Sequence, residues 1–477
     1  MAGTDPPPTR RERDSMGELE VPAGAYYGAS TMRARLNFPI SALRLPRDFV
    51  RALGLIKRQA AVVNVELGLL DRRLGEAIAQ AAQEVADGRL DGQFVVDVFQ
   101  TGSGTSTNMN ANEVIGNRAI ELLGGVLGSR TPVHPNDHVN LCQSSNDVIP
   151  TAIHVAGAVA LSRDLLPALA VLEASLRAKA EELWPVVKTG RTHLQDATPI
   201  RLGQEFLGWA GQVERAQRRC RQALGELCEL ALGGTAVGTG VNTHPAFAER
   251  VIAGLAVTCD LPLVETGNHF QAQATLDGVV AAHGALRATA VSLYEVAANI
   301  RLLACGPRAG IGEIALPEVQ PGSSIMPGKI NPVIAESLTM VAAQVVGNDA
   351  TVAFAGATGS LLELNVMMPV AAHALLESIG ILAAAATNFA RQAVDGITAT
   401  GNGPRLVEQG LMTCTGLAPR IGYDRAAQIA KEAFATGRTV REVARERTEL
   451  TDAELDVLLD PVAMTEPSPG RIGAGGG

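Results

Sequence analysis

A chain of 477 residues, 47% hydrophobic, 19% charged and only 3% aromatic, is globular with room for two or three packed units, and its small aliphatic side chains suit helix packing better than a β-sandwich. The formal net charge of -9 excludes nucleic acid as a main partner, so a small dianionic ligand would need a local positive site. Six cysteines at 142, 220, 228, 259, 305 and 414, with no CxxC pair, exclude a zinc site of that kind and a disulfide framework, and fit a reducing cytoplasm.

The N-terminal MAGTDPPPTRRERD has prolines and charges where a signal peptide needs an apolar run, so residues 1–14 are expected to be a loose tail. TGSGTSTNMNANE, residues 101–113, gathers Ser103, Thr105, Ser106, Thr107, Asn108, Asn110 and Asn112 at the opening of a helix. Its glycines permit close backbone approach, and free N–H groups at a helix start suit an anion. A first domain boundary is expected near Asn140. HPNDHVNLCQSSND, residues 134–147, ends in the donor-rich run Gln143, Ser144, Ser145, Asn146 with Asp147 as its single carboxylate before a helix holding Thr151 and His154. Taken alone, each of these segments reads better as a loop with a capped helix.

Leu165, Leu169, Leu172, Leu176 and Leu183 recur at helical spacing with Arg163, Glu173, Arg177 and Glu181 between them. This predicts an amphipathic helix that Pro167 either kinks or starts. KTGRTHLQDATP, residues 188–199, clusters Arg191, Thr192 and His193 ahead of a helix expected near Thr198–Pro199. His193 is the one side chain there whose ordinary pKa suits proton transfer near neutral pH. From Gln271 to Leu303 and from Glu336 to Gly359 the pattern is apolar nearly all round, which predicts helices buried on every side.

PGSSIMPGKINPVIAE, residues 321–336, places Ser323 and Ser324 beside glycines, then Lys329 and Asn331, with Glu336 opening a long helix. Flanking glycines predict a loop able to close over a ligand. Removing a proton next to a carboxylate builds negative charge on it, and Lys329, Asn331 and backbone donors are the groups to hold that charge. Ser323 becomes a base only where donors stabilise its alkoxide. No stretch reads as a membrane span: the nearest, 337–362, has Gln344, Asn348 and Asp349 in its middle. A second boundary falls near Gly401, and the Pro/Gly-rich end from Glu466 is a second loose tail. The fold class is therefore mainly α in three parts, 1–140, 141–400 and 401–477, with long central helices. Together the four polar segments describe a site for a small polyanion without metal, cofactor or nucleotide.

GSSIMPGKINP resembles the signature of the fumarase/aspartase superfamily. TGSGTSTNMNANE, HPNDHVN, QSSND, GRTHLQDATP and LGGTAVGTGVNTHP resemble class II fumarases, in order from about Met16 to about Ala463. The resemblance implies a cofactor-free hydration of fumarate to (S)-malate, and its reversal. It also implies a homotetramer whose central helices form one bundle, with each active site drawing on three chains. It implies that Ser323 takes the C3 proton of malate and that His193, supported by Glu336, handles the proton of the water. Ser103, Gly104, Thr105, Ser144, Ser145, Asn146, Thr192, Ser324, Lys329 and Asn331 would bind the two carboxylates. His134, Pro135, Asn136 and Asp137 resemble a peripheral second dicarboxylate site, although Thr131 stands where the family often has a basic residue, with Arg130 adjacent. Gln320 and KINPVIAE lean toward aspartase, which makes aspartate ammonia-lyase the alternative. His193 favours fumarase, because aspartases usually carry glutamine there. Ser323, His193 and Lys329 are all present, which argues against a non-catalytic relative.

Overall fold

The computed structural model describes residues 8–469 and Ile472. β1 (Thr9–Asp14) and β2 (Gly17–Pro22) open the chain as an antiparallel hairpin. Residues 9–14 are thus ordered, against the expectation of a tail to residue 14: Arg33 holds Asp14 at 2.7 Å, and Arg10 donates to the carbonyls of Pro22, Ala23 and Tyr27. Residues 1–7 of that tail lie outside the described residues, as do 470, 471 and 473–477 of the C-terminal one. Helices α1 (Ala29–Asn37), α2 (Arg47–Glu66), α3 (Arg72–Ala86) and α4 (Thr105–Leu122) follow.

Next comes α5 (Ser145–Ala160), continued through a π turn (Leu161–Leu165) into α6 (Leu166–Glu182). The π turn answers Pro167, whose ring and missing N–H cannot fit an unbroken α ladder. Leu165, Leu169, Leu172 and Leu176 are all fully buried, as their spacing predicts. β3 (Val187–Thr192) and β4 (Gln195–Arg201) form an antiparallel hairpin where a helix start was expected, and α7 (Leu202–Leu227) begins only after it.

The chain continues through β5 (Glu229–Leu230), α8 (Phe247–Cys259), β6 (Val264–Glu265), α9 (His269–Ala274) and α10 (Asp277–Leu303). After β7 (Ile314–Ala315) come α11 (Val333–Gly359), β8 (Ser360–Leu361), β9 (Leu364–Asn365), α12 (Met368–Gln392) and β10 (Thr398–Ala399). The end is helical again: α13 (Asn402–Val407), α14 (Ala418–Ile421), α15 (Tyr423–Thr436), α16 (Val440–Arg447) and α17 (Asp452–Leu458). Among the described residues strands pair only in twos, so the fold is mainly α.

Two compact units emerge. The first comprises the described residues up to Pro167 with Gln217–Ala290 and Ala342–Ala383. In it α2 packs on α3, α5 and α8, and α3 on α4. A Cβ at Gly54 would lie 2.7 Å from the Ala86 nitrogen, so α2 and α3 meet backbone to backbone. A buried polar cluster is internally paired: His283 lies between Asp349 at 3.1 Å and Ser378 at 3.0 Å, and Asn348 donates to Glu377 at 2.8 Å. The second unit comprises Ala168–Ala216, Val291–Val341 and the described residues from Ala384 on. It holds the β3–β4 hairpin with α13 against β3, the β7–β10 pair, and a C-terminal cluster built on Leu417, Ile429, Val443 and Leu455.

α11 differs from expectation. Ala335, Leu338, Ala342, Val345, Val352 and Ala355 are buried at spacings of three, four and seven, but Met340, Val346 and Phe354 are 67%, 44% and 62% exposed. One stripe is covered by the chain itself and the opposite apolar stripe is not. By length and composition three helices, Ser145–Glu182, Val333–Gly359 and Met368–Gly396, are long and apolar enough to cross a membrane, where the sequence showed no such span. The paired Asn348, Asp349, Glu377 and Ser378 lie within the second and third of these.

Candidate active site

Two helix starts converge in the first unit. Gly104, at φ 72°, caps α4, and Ser144 caps α5. Between them runs a chain of hydroxyls: Ser103 Oγ lies 2.9 Å from Thr105 Oγ1, which lies 2.8 Å from Ser145 Oγ. Free backbone N–H groups at both helix starts and three linked hydroxyls give an uncharged, donor-rich cradle suited to a carboxylate. Gly102 is required here, since a Cβ on it would lie 1.7 Å from the Val366 carbonyl oxygen.

The cradle is braced from behind. Ser144 and Asp147 form a capping box, and the other oxygen of Asp147 accepts the amides of Gly233 and Thr235 at 3.0 Å each. Asn146 donates to the Ala236 carbonyl at 2.8 Å, which ties the glycine-rich 233–240 loop to α5. Ser144 Oγ accepts the Asn146 amide, so its hydroxyl is already engaged in the cap. Burial pushes the Asp147 carboxyl up, against the pull of those amides and of Lys57. Lys57 is fully buried and donates to Asn140 Oδ1 at 2.8 Å; burial lowers its pKa to about 7, opposed by Asp147. Asp147 stood out in the sequence as the one carboxylate of its segment, but Lys57 did not, because a lone lysine beside Arg58 reads as a solvated helix face.

In the second unit, Thr192 ends β3 and His193 and Leu194 form the two-residue turn to β4. Both turn residues have positive φ, 56° and 59°, the geometry of a type I′ hairpin. Asparagine and glycine are the usual residues there, so a histidine and a leucine hold the turn under strain. His193 is exposed at the tip.

The 321–329 loop is closed on itself. The Gly322 amide donates to the Lys329 carbonyl at 2.8 Å, and Asn331 Nδ2 donates to the Gly322 carbonyl at 2.6 Å. A Cβ at Gly322 would stand 2.4 Å from that Lys329 oxygen, which leaves no room for another residue. Ser323 Oγ accepts the amides of Met326 at 3.0 Å and Ile325 at 3.3 Å. Two donors on one hydroxyl oxygen are what an alkoxide needs. Ser324 and Lys329 are exposed, and Glu336 lies in the first turn of α11. Among the described residues no hydrogen bond joins His193 to Glu336 or Ser323 to the Lys329 ammonium.

The peripheral residues gather in the first unit around a cavity of about 720 Å³ lined by His134, Pro135 and Asn136, by the cations of Arg11, Arg13 and Arg130, and by the carboxylates of Glu12, Asp14, Glu18 and Glu113; Asp137 is not in its wall. His134 Nδ1 accepts the amides of Asn136 and Asp137 at 3.3 and 3.2 Å, capping its own π turn. Among the described residues no group of three or more His, Cys, Asp or Glu side chains could hold a metal.

The sequence matches the lyase family over residues 17–347 and the family described as fumarase C C-terminus over residues 414–466. It is 52% identical to fumarate hydratase class II 2 of Bradyrhizobium diazoefficiens, covering 97% of this chain and 98% of that one. It is 54% identical to a class II fumarate hydratase of Halobacterium salinarum, covering 96% and 97%. The fold superposes on the crystal structure of a recombinant class II fumarase from Schistosoma mansoni with a TM-score of 0.93, at 38% identity and covering 96% and 99% of the two chains.

Proposed function

Because the chain belongs to the class II fumarate hydratases of the lyase family, we propose that it interconverts fumarate and (S)-malate with the residue roles that follow. Ser323, as alkoxide, removes the C3 proton of malate. The electron pair moves onto the adjacent carboxylate, whose extra charge Lys329 and Asn331 hold. The C2–O bond then breaks, and the hydroxyl leaves as water with a proton from His193. Hydration runs the same steps backwards. Ser103, Gly104, Thr105, Ser144, Ser145, Asn146, Thr192 and Ser324 bind and orient the carboxylates. The observation that carries this reading is the pair of amides donated to Ser323 Oγ in a loop that also bears Lys329.

Each site draws its residues from three chains of a homotetramer, in which Glu336 of one chain supports the histidine of another. Two features support this: the absence of a His193–Glu336 bond among the described residues of one chain, and the uncovered apolar stripe of α11. His134, Pro135, Asn136 and Asp137 form a peripheral dicarboxylate site in which Arg130 supplies the charge that Thr131 cannot, as its place in the cavity wall suggests. The three-part division 1–140, 141–400 and 401–477 is supported by separate apolar clusters spanning 21–139 and 414–459. The enzyme works in the cytoplasm without metal.

The test is direct: purified protein is given malate or aspartate, each with a chelator, and fumarate absorbance is followed. Malate yields fumarate and aspartate yields almost none. Robust ammonia release from aspartate would replace this reading with the ammonia-lyase one.

A further inference from the structure

Beneath the hairpin that carries His193 lies a cluster of four charges. Lys188 Nζ is 2.9 Å from Glu205 and 3.1 Å from Glu313, and the side chains of Lys188 and Glu313 are each only 1% exposed. Glu313 also takes Arg191 through both its oxygens, at 2.9 and 3.1 Å. Two cations and two anions cancel. Buried ionic clusters cost much desolvation and often stabilise a fold no better than apolar packing would. Stability is therefore a weak reason for this one.

Its geometry supplies a better reason. Residues three apart in a regular strand point to opposite faces, so Lys188 and Arg191 should not meet one partner. β3 breaks register between Thr189 and Arg191, and this bulge turns both cations toward Glu313. Gly190 makes the bulge possible, since a Cβ there would lie 2.5 Å from the Thr198 carbonyl oxygen. Glu313 is itself fixed: its amide donates to the Leu303 carbonyl at 2.9 Å and its own carbonyl accepts the Thr400 amide at 3.0 Å. Arg191 thus stands two residues from a strained turn and is gripped by an immobile carboxylate. A turn whose two residues disfavour their own conformation needs such a grip to stay in place.

We propose that Glu313 is a positioning residue for the hydration reaction: through Lys188 and Arg191 it holds the hairpin so that the tip presents His193. The inference rests on the role given to His193 above. Glu313 acts on the reaction only through that residue, so the two should not contribute independently.

The experiment measures kcat and KM for malate in Glu313→Gln, in His193→Asn and in the double variant. Displacing a catalytic group by about 1 Å costs up to roughly a hundredfold in rate, so Glu313→Gln should lower kcat about tenfold or more while KM stays within about threefold. On the His193→Asn background the same change should cost less than about twofold, since coupled groups are non-additive. An equal loss on both backgrounds, or an unchanged kcat in Glu313→Gln, overturns the inference. Should Glu313→Gln fail to fold, Lys188→Met with Glu313→Gln removes one cation and one anion and leaves Arg191 opposite Glu205 with no net charge. That folded protein should still have lost turnover, and full turnover in it overturns the inference. Undiminished turnover in His193→Asn would overturn the role of His193 and this inference with it. An inactive His193→Asn beside a fully active Glu313→Gln overturns this inference alone.

Discussion

In the proposed reaction, Ser323 is the residue of which most is asked. A free serine is a weak base because its alkoxide is poorly stabilised, and here the amides of Ile325 and Met326 reach its oxygen. Ser323→Ala should therefore reduce turnover by roughly a thousandfold or more. Its thermal midpoint should hardly move, because the loop is exposed and water can take over the two amides. Steady-state assay and calorimetry on the same preparation check both halves. Ser323, Lys329 and Asn331 were legible in the sequence as a polar run among apolar helices. Lys57 was not, and it carries a different prediction. Burial lowers its pKa in the folded chain to about 7, from the ordinary lysine value of 10.5. Between those values the unfolded chain holds a proton that the folded chain lacks, so this group makes stability rise with pH across that window. Lys57→Met should remove the rise, worth at most about 1.4 kcal/mol per pH unit. Asn140 would keep Asn108 and Asn112 as donors, both at 3.2 Å, so the fold should survive the change. Denaturation midpoints at pH 7 and pH 9 decide it: identical pH slopes in the two proteins would refute the burial account.

At the scale of elements, helices were legible and the hairpin was not. Leucines at helical spacing announced α6, and the run that became α11 was read within three residues of its true start. The Pro167 problem was visible, but its solution by a π turn depends on how the preceding turn packs. β3–β4 was hidden for a physical reason. Its turn is His193–Leu194 in place of Asn-Gly, and a bulge at Gly190 disrupts the alternation that marks a strand. The Lys188–Glu313 cluster was invisible for the same reason, since it exists only once the bulge has turned both cations one way. Helix starts offer a sharp test of the cradle. Gly102→Ala should abolish most activity and lower stability by about 2 kcal/mol or more, because the new methyl meets a backbone carbonyl that cannot easily move. Gly92→Ala, where nothing lies within 4 Å, should be nearly silent. Equal behaviour of the two variants would mean that the approach of Val366 to Gly102 is dispensable.

For the molecule as a whole, the sequence led to an expectation of helices buried on every side, and a single chain covers only one stripe of α11. Phe354→Glu, on the open stripe, should yield a dissociated protein in sedimentation together with loss of turnover, since a charge cannot be buried there unpaired. A tetramer of full activity would remove this face from the assembly. Sharing of sites has its own test. His193→Asn and Ser323→Ala chains, each nearly inactive, are co-unfolded, mixed equally and refolded. If His193 and Ser323 of one site come from different chains, about a quarter of sites recover both, and activity climbs well above either parent. A refolded mixture that stays inactive refutes the sharing. The open stripe also has a consequence for anyone handling the protein. If that stripe is a contact between chains that share sites, chains that leave it lose covered apolar surface and catalytic partners in one event, and specific activity should depend on concentration. A stock diluted far into an assay should give progress curves that bend downward over time. Adding an excess of chains bearing both lesions should not rescue them but should hasten the decline, by capturing each active subunit as it comes free.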